Sequence, residues 1–143
     1  MDKLEKSVFV IKPEALPYKE KIMDMIEKAG IPITEWRNLR LTESHLRILY
    51  PTITGETWHK MKKYLLNKEV LAAVVEGNDI VQKLYEICGD KTKPFLCRPD
   101  SIRYLFKNIA RQNEAFSQNI IHRPKNKQEA EEHVVLFFPP ERK

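Results

Sequence analysis

Val70-Leu71-Ala72-Ala73-Val74-Val75 is an unbroken apolar run of strand length, closed by Glu76-Gly77-Asn78-Asp79. An uninterrupted run of this kind, rather than an alternating one, predicts a strand covered on both faces. Ser7-Val8-Phe9-Val10-Ile11 reads in the same way and stops at Lys12-Pro13-Glu14, where proline lacks the N–H needed to extend a ladder. Two such strands belong at the centre of a sheet, and the rest of the chain must flank or cover them.

Working outward, Ile22, Met23, Ile26 and Ala29 recur at helical spacing over Lys19 to Ala29, with Gly30 and Pro32 to end the helix. Ile33 to Leu41 mixes β-branched, aromatic and charged residues and predicts a second, less buried strand. Thr42 is placed to cap a short helix carrying Leu46 and Leu49, which Pro51 ends just after Tyr50. Another helix from Thr54-Gly55-Glu56 through Trp58, Met61 and Leu65 completes a helical hairpin between strands. After the Val70 strand, the turn at 76–79 leads into a capped helix ending at Cys88-Gly89. Residues 90–99 form an ordered surface loop, and Pro99 opens a short helix through Ser101, Arg103 and Leu105. Residues 107–118 are polar loop. A short strand ends at His122, and Lys127 to Phe138 forms a last helix with Ala130, Val134 and Phe137 inward, stopped by Pro139-Pro140. This order predicts an α+β fold, a ferredoxin-like split βαβ sandwich with a four-stranded, mostly antiparallel sheet and an inserted helical hairpin.

The 143 residues suit a single domain over 1–143, with 42% hydrophobic and 31% charged residues, the proportions of an ordinary globular chain. No apolar run approaches the ~20 residues that span a bilayer, and Met1-Asp2-Lys3-Leu4-Glu5-Lys6 is charged where a signal peptide turns apolar, so a cytosolic protein with no membrane partner is expected. Cys88 and Cys97, with no CxxC or histidine pairing, read as free thiols. A net charge of +5 favours an anionic partner. Lys60, Lys62 and Lys63 lie on one helix and Lys91, Lys93, Arg98 and Arg103 in or beside a loop, without interleaved aromatics, which argues against nucleic acid.

The chemistry-bearing stretch is Asn119-Ile120-Ile121-His122-Arg123-Pro124-Lys125. Two β-branched residues fix an imidazole at a strand end, where a neutral ring serves as a nucleophile towards phosphorus, a metal ligand or a proton carrier. In the expected fold Lys12, the hairpin with Tyr50 and Trp58, the loop with Thr92, Arg103 and His122 converge on one face. Such a cationic, aromatic-flanked cleft suits a nucleoside polyphosphate. Each residue also has a plainer reading: Lys12 solvated, Arg103 paired with Asp100, Trp58 in the core.

Lys12-Pro13-Glu14, Tyr50, Val70–Gly77, Pro99-Asp100-Ser101-Ile102-Arg103 and Asn119-Ile120-Ile121-His122 resemble, in order and spacing, the nucleoside diphosphate kinase family, over about residues 6 to 140. The resemblance implies a ping-pong transfer of the γ-phosphoryl group from a nucleoside triphosphate to a nucleoside diphosphate through His122. It implies Lys12 and Tyr50 near the transferring group, Thr92 and Arg103 on the phosphates, Asn119 at the ribose and Trp58 under the base. It further implies Mg²⁺ held mainly by the phosphates, with no metal ligands from the protein, and a homo-oligomer built on a dimer.

The chain also departs from the family. Arg123-Pro124-Lys125 stands where Gly-Ser-Asp is usual, His133 replaces a glutamate that orients the imidazole, and Tyr85 replaces an arginine, with Lys91 or Arg98 offered as substitutes. Ala15 stands for a glycine, and the loop before Asn119 is longer than usual. Such losses predict a rate lowered by about 10–100-fold. They also predict a His122 pKa lowered by Arg123 and Lys125, with the ring aimed by a backbone carbonyl or by His133. A nucleotide-binding or scaffold module without turnover is the alternative, and a basic nucleic-acid-binding domain a more distant one.

Overall fold

A computed structural model describes residues 4–109 and 119–140. The chain runs β1 (Leu4–Ile11), α1 (Lys19–Lys28), β2 (Ile33–Arg40), α2 (Glu43–Leu49), α3 (Gly55–Leu65), β3 (Glu69–Asn78), α4 (Ile80–Cys88), α5 (Ile102–Leu105), β4 (Ile121–His122) and α6 (Lys127–Phe137). The sheet order is β2-β3-β1-β4, and every neighbouring pair is antiparallel. This is the expected α+β sandwich with the two apolar strands in the middle.

Alternation along those strands divides the core in two. Phe9 and Ile11 of β1 and Leu71, Ala73 and Val75 of β3 face Ile22 and Ile26 of α1 and Ile80 and Leu84 of α4. Val8, Val10, Val70 and Ala72 face the α2–α3 hairpin, through Leu46, Trp58, Met61 and Leu65, and Phe137 of α6. Both faces are therefore apolar because both are covered, each large buried side chain contributing roughly 1.5–3 kcal/mol. β2, at the sheet edge, is mostly exposed, with Trp36 half in solvent.

The helix ends show where local signals sufficed. Thr42 caps α2 reciprocally: its Oγ1 accepts from His45 N–H at 3.2 Å, and its own N–H donates to His45 Nδ1 at 2.9 Å. The cap expected before α4 differs. Asp79 sits at φ +54° with no side-chain cap, and the Val81 N–H instead donates to Glu5 Oε1 of β1 at 3.2 Å. Pro99 precedes α5, which Ser101 caps by accepting from Tyr104 N–H at 3.3 Å. Residues 90–99 hold one 3-10 turn at Pro94–Leu96, and a longer one at Pro13–Tyr18 joins β1 to α1. Of the polar loop expected over 107–118, residues 110–118 lie outside the described residues.

Candidate active site

β4 is short, yet three devices hold it. Val10 pairs with His122 and Ile11 with Ile121, so His122 lies on the hairpin face of the sheet beside Val10. Lys12 N–H donates to Ile120 O at 2.9 Å, and Glu14 Oε2 accepts the Ile120 N–H at 3.0 Å. Ile121 N–H donates to Asn119 O at 2.8 Å across Ile120, whose φ is +77°. That is a γ-turn centred on a β-branched residue, a strained conformation of the kind retained at functional sites, at a cost of order 1–3 kcal/mol. Complete burial of Ile120 and Ile121 supports it. Composition carries no signal for this strain.

His122 is 8% exposed, and its Nε2 lies 3.2 Å from Nδ1 of His133, itself 2% exposed on α6. The imidazole expected as one possible orienting partner is thus in place. Among the described residues Nδ1 of His122 makes no hydrogen bond. Burial holds the His122 pKa well below the usual imidazole value, and His133, Lys12, Arg123 and Arg103 add to the shift. The direction agrees with the sequence reading but the leading cause does not: desolvation outranks charge, and Lys125 is not among the causes. Burial also lowers the His133 pKa, against the raising influence of Glu129 and Glu132. Both rings are accordingly neutral near pH 7.

His122 opens onto a cleft of about 530 Å³ whose lining includes Tyr50, Thr92, Arg103, Asn119, Arg123 and Lys125. Tyr50 sets its ring edge-on to His122, centroids 6.0 Å apart. Lys12, buried at the end of β1, is not among the lining residues, but its Nζ stands 5.5 Å from the Tyr50 ring centre. Asn119 donates from Nδ2 to Thr92 O at 3.3 Å, while its buried Oδ1 has no hydrogen-bond partner among the described residues. Arg103, 3% exposed, does not pair with Asp100, which reaches Arg98 instead at 3.5 Å. It donates to Ile121 O at 2.8 Å and to Lys91 O at 2.6 Å, tying the cleft loop to the histidine strand. Its burial lowers the pKa to about 10, which leaves it charged at neutral pH.

Trp58, like Lys12, is a sequence-predicted residue that does not line the cleft. It is 5% exposed within the hairpin core, and the Arg47 guanidinium lies 3.7 Å from its ring centre. With that face occupied by a cation–π contact, no base has access to it in this arrangement. Of the two cations offered in place of the arginine at position 85, Lys91 lines the cleft, whereas Arg98 lines a separate groove with Lys83 and Asp100. The sequence reading did not name Arg123, Asp90 or Glu129 as cleft residues. Two signals pointed to Arg123: its place next to the histidine, and a tyrosine at position 85 able to stack on it.

Among the described residues no group of three histidine, cysteine or carboxylate side chains is arranged to hold a metal, and no helix is long and apolar enough to cross a membrane. Asp90 does bring to the cleft a buried Oδ1 without a hydrogen-bond partner among the described residues. Two carboxylates on the lining of a cationic cleft, Asp90 and Glu129, are a donor set that fits Mg²⁺ arriving with phosphates rather than in a protein cage.

The sequence model of the nucleoside diphosphate kinase family matches residues 5–143. A nucleoside diphosphate kinase of Brugia malayi is 29% identical over 140 residues, covering 96% of this chain and 87% of the relative. The thioredoxin domain-containing protein 3 homolog of Ciona intestinalis is 27% identical over 139 residues, and there the match spans 94% of this chain but only 20% of the relative's length. Among solved structures, an Encephalitozoon cuniculi nucleoside diphosphate kinase has the same fold, with a TM-score of 0.82 at 22% identity over 95% of this chain and 90% of that one. The motif order, the sheet topology and a match running almost from end to end agree: this chain belongs to the nucleoside diphosphate kinase family.

Proposed function

We propose that the chain transfers the γ-phosphoryl group of a nucleoside triphosphate to a nucleoside diphosphate by way of His122. The observation that carries this is the His122 ring itself, fixed through Nε2, without a hydrogen bond at Nδ1 among the described residues, and set in a cationic cleft. Attack through Nδ1 needs its lone pair, so the ring proton must be on Nε2, where His133 Nδ1 accepts it. The N–P bond then forms as the bond from phosphorus to the departing diphosphate oxygen breaks, and no proton has to move. A terminal phosphate oxygen of the second diphosphate reverses the step.

Arg103 and Lys12 offset charge on the phosphoryl oxygens, Tyr50 and Thr92 border the transferring group, and the unpaired Asn119 Oδ1 suits a ribose hydroxyl. Mg²⁺ bound to the phosphates would neutralise further charge there, with Asp90 the carboxylate nearest in kind to what it needs. A neutral imidazole behind His122, in place of a carboxylate, makes the transfer slow. That substitution is also what favours the second reading, a nucleotide-binding module without turnover. We further propose a cytosolic homo-oligomer built on a dimer, for which the exposed edge strand β2 with Trp36 offers a surface.

Incubation with γ-labelled ATP tests the reading. An acid-labile, alkali-stable label on the parent that disappears in His122→Ala, with ADP binding retained, is expected. Binding without any label would leave the non-catalytic module, and undiminished label in His122→Ala would exclude His122 as the nucleophile.

A further inference from the structure

We propose that Arg123, carried on the ring of Tyr85, is a phosphate-gripping side chain of this cleft, and that Arg123 and Arg103 together take two oxygens of a diphosphate. The inference rests on the reading of the cleft as a nucleotide site and adds a residue to it.

Arg123 is 6% exposed, yet it lines the cleft. Its Nε and Nη2 both donate to Gly89 O, at 3.1 and 2.7 Å, and its guanidinium carbon stands 4.3 Å from the Tyr85 ring centre. Tyr85 is itself pinned, its hydroxyl donating to Asp90 O at 3.1 Å. One edge of the fork and one face are thus spoken for, while Nη1 makes no hydrogen bond among the described residues. This side chain is pre-organised and has donors to spare.

Its electrostatic setting is unfavourable without an anion. Arg103 reaches the same Gly89 O from Nη1 at 3.5 Å, so two guanidiniums share one carbonyl, and the charge of Arg123 helps to lower the Arg103 pKa. Among the described residues neither arginine is in an ion pair. Buried charges are ordinarily paired, and two like charges held together in a place of low dielectric are stabilised by whatever anion bridges them. The planar fork suits phosphate oxygens, and the cationic Lys91 and Lys125 on the same lining select for more than one negative charge. Gly89 makes the arrangement possible: at φ +131°, an added Cβ would stand 2.8 Å from Arg103 Cδ.

Equilibrium binding of ADP and of pyrophosphate, which has phosphates but no base or sugar, tests this in the parent, Arg123→Met, Arg123→Lys and Tyr85→Leu. Loss of charged hydrogen bonds predicts binding of both ligands weakened about 10- to 100-fold in Arg123→Met at an unchanged circular dichroism spectrum. Arg123→Lys keeps the charge but not the fork and falls between. Tyr85→Leu, which removes the ring and spares the arginine, weakens both ligands several-fold. A folded Arg123→Met that binds ADP and pyrophosphate within twofold of the parent overturns the proposal, as does a loss seen with ADP alone. Should Arg123→Met not fold, parent-like binding of both ligands by Arg123→Lys and Tyr85→Leu overturns it equally. A parent that binds neither ligand sinks the nucleotide reading first and this inference with it.

Discussion

Replacing His133 by aspartate exchanges the partner of His122 at a single atom. An aspartate oxygen branches from Cγ as imidazole Nδ1 does, so it inherits the position now 3.2 Å from His122 Nε2. His133→Asn does the same without charge, and the difference between the two variants isolates the carboxylate. At a charge separation of about 4 Å and an effective dielectric near 20, the new attraction is about 4 kcal/mol, or about three pKa units as an upper limit. Burial of the carboxylate takes part of this back, leaving the His122 pKa higher in the aspartate variant than in the asparagine one. The ring becomes cationic as the N–P bond forms, so the same carboxylate stabilises the transition state. Labelling by γ-labelled ATP at pH 8 should be about tenfold faster with aspartate than in the parent, a gain of the size usual for partners that orient a reacting group. The imidazolium population rises too, so the acid limb of the rate profile moves to higher pH. Nitrogen-15 NMR titration of the His122 ring reads the shift directly. An aspartate variant with a His122 pKa no higher than the asparagine variant's, or a parent ring that titrates above the ordinary imidazole value, refutes this reasoning.

Acidification should destabilise the fold. His122, His133 and His45 all have depressed pKa values, so unfolded chains take up protons near pH 6.5 that the native state refuses. The stability they confer is complete above pH 6.5 and is lost as the pH falls towards the native values, at up to about 1.4 kcal/mol per pH unit for each of the buried rings of His122 and His133 and less for the part-exposed His45, which solvent screens. Urea midpoints should fall between pH 7 and pH 5.5, and less steeply in His122→Asn; a midpoint that rises on acidification contradicts the assignment. Arg103→Ala strips hydrogen bonds from Ile121 O and Lys91 O. It should lower the unfolding free energy by about 2–5 kcal/mol in urea, and a change under 0.5 kcal/mol would show that these bonds matter little. Gly89→Ala forces a Cβ to within 2.8 Å of Arg103 Cδ at a backbone angle that disfavours side chains. A melting temperature lowered by several degrees with weakened ADP binding is expected, and parent-like values for both would mean that the two arginines are not held there as described.

Patterns short in sequence were readable because the physics behind them is local. The runs at 7–11 and 70–75 have no polar face to offer water, which makes them central strands; Thr42 needed only His45, three residues away, to close its capping box. The order of motifs around Lys12, Arg103 and His122 pointed to strand ends beside which the structure has a cleft, lined by Arg103 and His122. Trp58 was legible only as an aromatic at the right spacing, since whether such a ring stacks a ligand or packs in the hairpin depends on what covers it, here Arg47 from the preceding helix.

From its sequence alone, then, this chain determined its strand set, its helix periodicity, its family and the place of His122 at the end of a short strand, all set by periodicity, turn chemistry and motif order. Tertiary structure decided what distant residues do for one another. Glu5 of β1 supplies the α4 N-terminus with the hydrogen bond that Asp79 does not make, Glu14 and buried apolar packing hold Ile120 at positive φ, and Gly89 O gathers two arginines separated by 20 positions of chain. Burial, above all, lowers the pKa of His122, and burial is a property of everything folded around the ring, which no stretch of sequence near it contains.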